Sequence, residues 1–404
     1  MTRRVAVTGV GIACALGGNQ QQVWGRALEG QGGIGRLRLF DSSGCLSEVA
    51  GEMATLPPLP PLPSAERRRM SRTDHLCLAS AVEAVGQARL AAEELADFGV
   101  SLGTSTGGML ESEAYCRETV EKGHAAARAS RLLRLPSSSP ADAVARLLKT
   151  RGPRLSNMTA CASSALSIGF AADLIRDGET RGMIAGGGDA LCAMTYAGFN
   201  SLRLVDPRPC RPFDAARQGL SLGEGAGILV LEDWDHALAR RAHPLAELLD
   251  YGASCDAQHM TAPHPEGRGA AAAMREALAR AGLHSGQVGH VNTHGTGTPL
   301  NDATEIRAIL SVFGEEMAAH LPLTASKSMI GHLLGGSGGA EAVLLVLSLR
   351  HQTLPPTLGW RQSDPDARLD IVAGRSRPAS FDIGLSNSFG FGGTNCSLLF
   401  QKAP

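Results

Sequence analysis

The segment His290-Val291-Asn292-Thr293-His294-Gly295-Thr296-Gly297-Thr298-Pro299-Leu300-Asn301-Asp302 changes character twice. His290–Thr293 reads as a short buried strand. Hydroxyls and glycines then form a loop. Pro299 opens a helix, predicted to reach Phe313, because the N–H it lacks has no partner in a first turn and its ring pre-sets φ. Strand, glycine loop and helix recur outward along the chain. Strands are predicted over Arg4–Val10, Gly99–Thr104, Met183–Gly187, Gly227–Leu231, Ala246–Tyr251, Ile383–Asn387 and Cys396–Phe400. Helices are predicted over Asp74–Ala88, Ser163–Asp177, Gly269–Ala281 and Gly338–Arg350. Such alternation gives α/β layers, with helices covering a mostly buried sheet.

Composition narrows the class. The 404 residues exceed one ordinary core, so one large or two fused domains are expected. A hydrophobic content of 43% excludes a disordered chain. A net charge of −1 gives no global basic field, so nucleic-acid binding has no support. Nine cysteines, an odd number with no CxxC pair, argue against a disulfide framework and for reduced thiols in the cytoplasm. Arg3 and Arg4 precede Val5-Ala6-Val7-Thr8-Gly9-Val10-Gly11, and Ala13-Cys14-Ala15 imitates a cleavage site. Thr8, Gly9 and Gly11 interrupt the apolar run, which reads better as a first buried strand than as a signal peptide. The longest apolar candidate, Met329–Leu349, contains His332, Glu341 and five glycines, so no membrane span is expected. The proline-rich run 57–63 reads as an irregular surface connector. The basic run after it, Glu66-Arg67-Arg68-Arg69, reads as a solvated helix start or a dock for an acidic partner. Glycine is 49 of the residues, well above average usage, and marks places where backbone must come close to something.

Four segments carry chemistry together. Thr159-Ala160-Cys161-Ala162-Ser163-Ser164 sets a cysteine at a helix start, where free N–H groups and the helix dipole favour thiolate. His294 ends a strand in the opening segment. Ser326-Lys327-Ser328-Met329-Ile330-Gly331-His332 precedes a glycine-rich helix entrance, with Glu341 nine residues beyond His332. Asn387-Ser388-Phe389-Gly390-Phe391-Gly392-Gly393-Thr394-Asn395 frees backbone amides to face a ligand, as in an oxyanion hole. One histidine alone would read as a satisfied core residue. Two histidines in glycine loops plus a helix-start cysteine suggest Cys-based acyl transfer. A competing motif is Gly103-Thr104-Ser105-Thr106-Gly107, a GxSxG match after a predicted strand that would make Ser105 a hydrolase nucleophile.

With these segments in view, the chain resembles the elongating β-ketoacyl-[acyl carrier protein] synthases along essentially its whole length. Arg211-Pro212-Phe213-Asp214 and Gly223-Glu224-Gly225-Ala226-Gly227 match as well. The resemblance implies a thiolase fold, two related halves in an α-β-α-β-α arrangement. Residues 1–245 would carry the cysteine and 246–404 the two histidines. It implies that Cys161 accepts an acyl chain from a carrier-protein phosphopantetheine, and that the N–H groups of Cys161 and Phe391 hold the oxyanion. His294 and His332 would then stabilise the enolate from decarboxylated malonyl-carrier protein. Lys327 would sit beside the second histidine and pair with Glu341. Thr296 and Thr298 would bond the pantetheine arm, and Phe389 and Phe391 would lie on a gating loop. Arg68, Arg69 and Arg203 would dock the acidic carrier protein. No separate cofactor or metal is implied, and the family is dimeric, with itself or with a ketosynthase-like paralogue.

The departures are specific. Thr106 stands where such synthases usually have a bulky aliphatic residue or Gly at the acyl-pocket entrance. Leu135–Asp142 is short for a segment that lines the pocket from across the dimer, and Leu220 replaces an aromatic. With 198–202 and 262–265, these features resemble ketosynthases of polyene or aryl-polyene pathways. The intact Cys161, His294 and His332 argue against a non-catalytic chain-length partner subunit. Both histidines are present, whereas starter-type synthases carry an asparagine at one. Cys396 reads as a core residue rather than as a thiolase base.

Overall fold

The computed structural model describes residues 3–364 and 367–404. Ten strands organise it: β1 Val5–Cys14, β2 Gly99–Gly103, β3 Arg154–Asn157, β4 Gly182–Asp189, β5 Gly225–Asp233, β6 Ala246–Cys255, β7 His290–Asn292, β8 Pro322–Thr324, β9 Ile383–Phe389 and β10 Thr394–Lys402. From edge to edge they run β3-β2-β4-β5-β1-β6-β10-β9-β7-β8, with the two-residue strand Asp370–Ile371 beyond β8. The first five strands set a pattern that the second five repeat. β1 pairs antiparallel with β5 and β5 with β4, while β4–β2 and β2–β3 are parallel. In the second half β6–β10 and β10–β9 are antiparallel, and β9–β7 and β7–β8 are parallel. The halves join where Val5–Val7 pair with Ala246–Leu248. The sequence shows no repeat at this level; the duplication lies in strand order and sense.

Five helices complete the layers: α1 Arg72–Ala88, α2 Ser163–Arg176, α3 Arg268–Arg280, α4 Pro299–Phe313 and α5 Ser337–His351. α1 packs outside β1 and β5, and α3 packs outside β6 and β10. α2 and α5 pack on each other between the half-sheets, and α5 is buried at every residue from Ser337 to Leu349. The order of layers is therefore α-β-α-β-α, a fold of the thiolase type. Close approach of strand to central helix needs glycine at two matched places. A Cβ on Gly103 would collide with the Ser163 backbone, and one on Gly227 with Gly339 and Ala340.

The all-buried β1 matches the strand reading of the N-terminal apolar run. Residues 57–63 form no regular element, and Leu59 and Leu62 anchor them on the α1 side of the core. All nine cysteines are free thiols. Among the described residues no helix is long and apolar enough to cross a membrane.

Candidate active site

The duplication places the chemistry. In each half, the edge parallel strand leads to a residue in the left-handed region, then a short 3-10 turn, then the central helix. In the first half these are Ala160 (φ 48°), the turn Ala160–Ala162 and α2. In the second they are Leu334 (φ 51°), the turn Leu334–Gly336 and α5. A non-glycine residue there costs about 1–3 kcal/mol. The strain aims Cys161 off one turn, and His332 lies two residues before the other. His294 follows β7 and Phe389 ends β9, so these groups gather at the C-terminal ends of the parallel strands. Open α/β sheets bind ligands at such ends.

Cys161, His294 and His332 line one cavity of about 290 Å³. Phe389, Phe391, Thr296 and Thr298 line it too, with Leu220 and Phe199. Phe391 stacks on Phe199 with ring centres 5.6 Å apart. Gly392 and Gly393 behind it have φ of 80° and 78°, backbone that favours glycine. The Thr296 and Thr298 hydroxyls are 2.9 Å apart, and the latter also caps α4 by accepting from the Asn301 N–H.

The hydrogen bonds assign both histidine tautomers. His332 Nδ1 accepts from the Leu334 backbone N–H at 3.0 Å, a group that can only donate. The Ser337 hydroxyl is 3.0 Å from the same nitrogen and must also donate. The ring proton is therefore on Nε2. His294 Nδ1 faces Lys327 Nζ at 3.2 Å, an ammonium that can only donate, so its proton is on Nε2 as well. Burial and then the Lys327 charge hold both rings well below the usual histidine pKa, so both are neutral. The rings meet edge to face with centres 5.4 Å apart.

Lys327 is the electrostatic hub. Its Nζ also donates to the His294 carbonyl at 2.7 Å and to Glu341 Oε1 at 2.6 Å. Its hydrogen bonds go to the first histidine, and its charge also acts on the second, His332. Lys327 reaches His294 because β7 and β8 are neighbouring parallel strands and the two residues follow their adjacent C-terminal ends. Burial raises the Glu341 carboxyl to about 7 against the pull of Lys327.

The thiol reading needs a correction. Burial pushes Cys161 up to about 11, while Lys327 and the N–H groups of Phe391 and Cys161 pull it down. At rest the group is a thiol, because desolvation outweighs the helix start.

Three further placements concern the pocket and its surroundings. The Thr106 hydroxyl donates to Asp189 at 2.7 Å, and Thr106 does not line the cavity. The Ser105 hydroxyl donates to the Ala160 carbonyl at 3.0 Å, which leaves it without a histidine base. Residues 135–142, which end in the first turn of the helix Ser139–Leu148, do not line the cavity within this chain. Arg203 is exposed at the cavity mouth. Arg68 and Arg69 are exposed on the short helix Ser64–Arg69, apart from the cavity lining.

Two buried carboxylates escaped sequence reading. Asp189, at the end of β4, accepts from the N–H groups of Ser105 and Thr106 and from Gly335 at 2.7 Å. It ties the loop after β2 to the approach to α5. Glu305 of α4 accepts from the N–H groups of His294 and Gly295, each at 2.8 Å. Burial raises it to about 7. A carboxylate on the buried face of α4, beside Ile306, Ala308 and Ile309, was the available signal for Glu305.

Residues 2–237 match the family described as beta-ketoacyl synthase, N-terminal domain, and residues 245–361 its C-terminal domain. The chain belongs to the β-ketoacyl synthase family. A Synechocystis 3-oxoacyl-[acyl-carrier-protein] synthase 2 is 39% identical, covering 99% of this chain and 98% of that protein. Among solved structures, the ishigamide ketosynthase/chain length factor superposes with TM-score 0.93 at 34% identity, over 100% of both chains. The ketosynthase ApeO in complex with its chain length factor ApeC, from Xenorhabdus doucetiae, superposes with TM-score 0.88 at 33% identity, over 99% of this chain and 98% of that one. This β-ketoacyl synthase thus shares its fold with the solved relatives and its length with all three.

Proposed function

We propose that the chain condenses malonyl-carrier protein with an acyl group held on Cys161, lengthening a fatty-acid or polyketide chain by two carbons. It is an acyltransferase of the 3-oxoacyl-[acyl-carrier-protein] synthase class. The carrying observation is that two neutral histidines, each with Nδ1 occupied by a donor, line the cavity that holds Cys161.

The steps follow from that arrangement. The Cys161 sulfur attacks the acyl-pantetheine carbonyl, and the pantetheine thiolate leaves with the proton that Cys161 gives up. The Cys161 and Phe391 N–H groups hold the oxyanion; one such donor is worth ~2.7–4 kcal/mol. Malonyl-carrier protein then loses CO2, and the electrons of that C–C bond pass into an enolate. The Nε2–H groups of His294 and His332 stabilise its oxygen while neither ring needs to exchange a proton. The enolate carbon attacks the acyl thioester, and the C–S bond breaks to release Cys161 as a thiolate, which takes up a proton from water to restore the resting thiol. Lys327 and Glu341 position His294, Thr296 and Thr298 bond the pantetheine arm, and Phe389 and Phe391 gate the cavity.

The substrates arrive on acyl carrier protein and the reading calls for no separate cofactor. Arg203 docks the carrier protein at the mouth, with Arg68 and Arg69 as outer contacts. We place the division between halves at 245/246, the partner as a second copy or a ketosynthase-like paralogue, and the location in the cytoplasm. The solved ketosynthase/chain length factor relatives support the paralogue. A polyene substrate is the finer proposal, resting on the sequence departure at Leu220 and on the segments 198–202 and 262–265, which reach the cavity through Phe199, Ala262 and Pro263. The test is malonyl-carrier protein decarboxylation by His294→Ala and His332→Ala. Both should lose it while Cys161 is still acylated; retained decarboxylation in both defeats the assignment.

A further inference from the structure

We propose that Ser337 is a positioning residue that donates a second hydrogen bond to His332 Nδ1 and so polarises the Nε2–H toward the enolate. The proposal rests on the role given to His332 above. Ser337 is 1% exposed and begins α5, five residues after His332. Its hydroxyl has a choice, and the duplicated fold shows the alternative. Ser163 holds the matching first position of α2. There the hydroxyl donates to the Ala160 carbonyl at 2.6 Å and accepts from the Thr159 N–H at 2.9 Å, closing the turn on itself. Ser337 follows the same kind of turn, yet its hydroxyl goes 3.0 Å to His332 Nδ1.

The Leu334 N–H already occupies that nitrogen at 3.0 Å, so backbone alone sets the tautomer. A second donor on one lone pair is surplus to folding, but it has a chemical effect. Donation into Nδ1 draws density from the ring, which makes Nε2–H a stronger donor to developing negative charge. It also opposes a proton on Nδ1, as burial and Lys327 do. The ring is then held neutral from three sides and aimed with one free N–H into the cavity.

The experiment is Ser337→Ala in the full chain, with His332→Ala as its companion. Three quantities are read: Cys161 acylation, kcat and KM for malonyl-carrier protein decarboxylation, and the ¹⁵N shift of His332 Nδ1. In Ser337→Ala, kcat should fall about three- to tenfold, the scale of one hydrogen bond. KM and acylation should stay at their original values, and the Nδ1 resonance should move toward that of a free lone pair. Unchanged kcat and unchanged shift, with His332→Ala inactive in decarboxylation, overturn the role of Ser337 alone. Loss of acylation in Ser337→Ala would make it a folding residue and also overturn it. Decarboxylation retained in His332→Ala would instead overturn the reading of the site.

Discussion

Replacing Lys327 with Met keeps the length of the side chain and removes its charge. Three bonds disappear: to the His294 ring, to the His294 carbonyl and to Glu341. Glu341 then holds a buried carboxyl with no cation. Burial has already brought it to about 7, so without Lys327 it takes up a proton and enters the core neutral. Protonation keeps the cost below the ~3–5 kcal/mol expected when one member of a buried ion pair is removed. The chemical loss is larger in effect. His294 Nδ1 loses a charged donor worth ~1.5–3 kcal/mol, so decarboxylation should fall about 10- to 150-fold. The same charge is the largest influence pulling Cys161 down. With a pKa of about 11, about one thiol in a thousand is ionised at pH 8, and Lys327→Met makes that fraction smaller. Iodoacetamide alkylation of Cys161, followed by mass spectrometry across pH, should be slower at each pH and displaced to higher pH. Decarboxylation within twofold of the original enzyme, together with a superimposable alkylation profile, would refute the hub role.

Three further outcomes concern folding and stability. His290 is buried against Phe381, and burial first, then Arg377, lowers it from 6.5 to about 3. A depressed folded pKa gives stability that is full above 6.5 and is lost as pH falls, because the unfolded chain binds the proton first. Between pH 7 and pH 5 this amounts to about 2 kcal/mol. The destabilisation caused by His290→Leu in urea unfolding should therefore shrink by that amount at pH 5, and a pH-independent difference would contradict the account. Gly103→Ala should abolish soluble folded protein or Cys161 acylation, since its Cβ would strike the start of α2. Gly86→Ala, exposed in α1 with nothing within 4 Å, should stabilise by about 0.5–1 kcal/mol, read as a rise in Tm.

What the sequence made legible follows the physics of each element. Helix α4 is where it was expected to the residue, because Pro299 marks its start and Gly314, at φ 78°, its end. β1 ran four residues beyond expectation, since its glycines sit against α1 rather than in a turn. β3 was missed because it is a polar edge strand, and β8 because it has three residues. The helices Gln20–Leu28 and Met109–Lys122 were also missed, since the first buries only Val23, Trp24 and Ala27 and the second only Ser112. At the site, the cysteine, histidines, lysine and glutamate announce themselves by residue type and glycine context. Their pairing does not. That Lys327 serves His294 depends on the parallel pairing of β7 with β8. That Asp189 and Glu305 accept backbone amides depends on loops far apart in sequence. The protonation of Cys161 also lay out of reach, because local sequence shows the helix start but not the depth of burial that overrides it.

The most direct test combines intact-mass measurement of the protein with a panel of acyl-carrier proteins and malonyl-carrier protein. The account predicts an acyl adduct mapped to Cys161, its discharge when malonyl-carrier protein is added, and a β-ketoacyl product two carbons longer. An adduct on Ser105 with Cys161 unmodified, or undiminished product from Cys161→Ala, would contradict it.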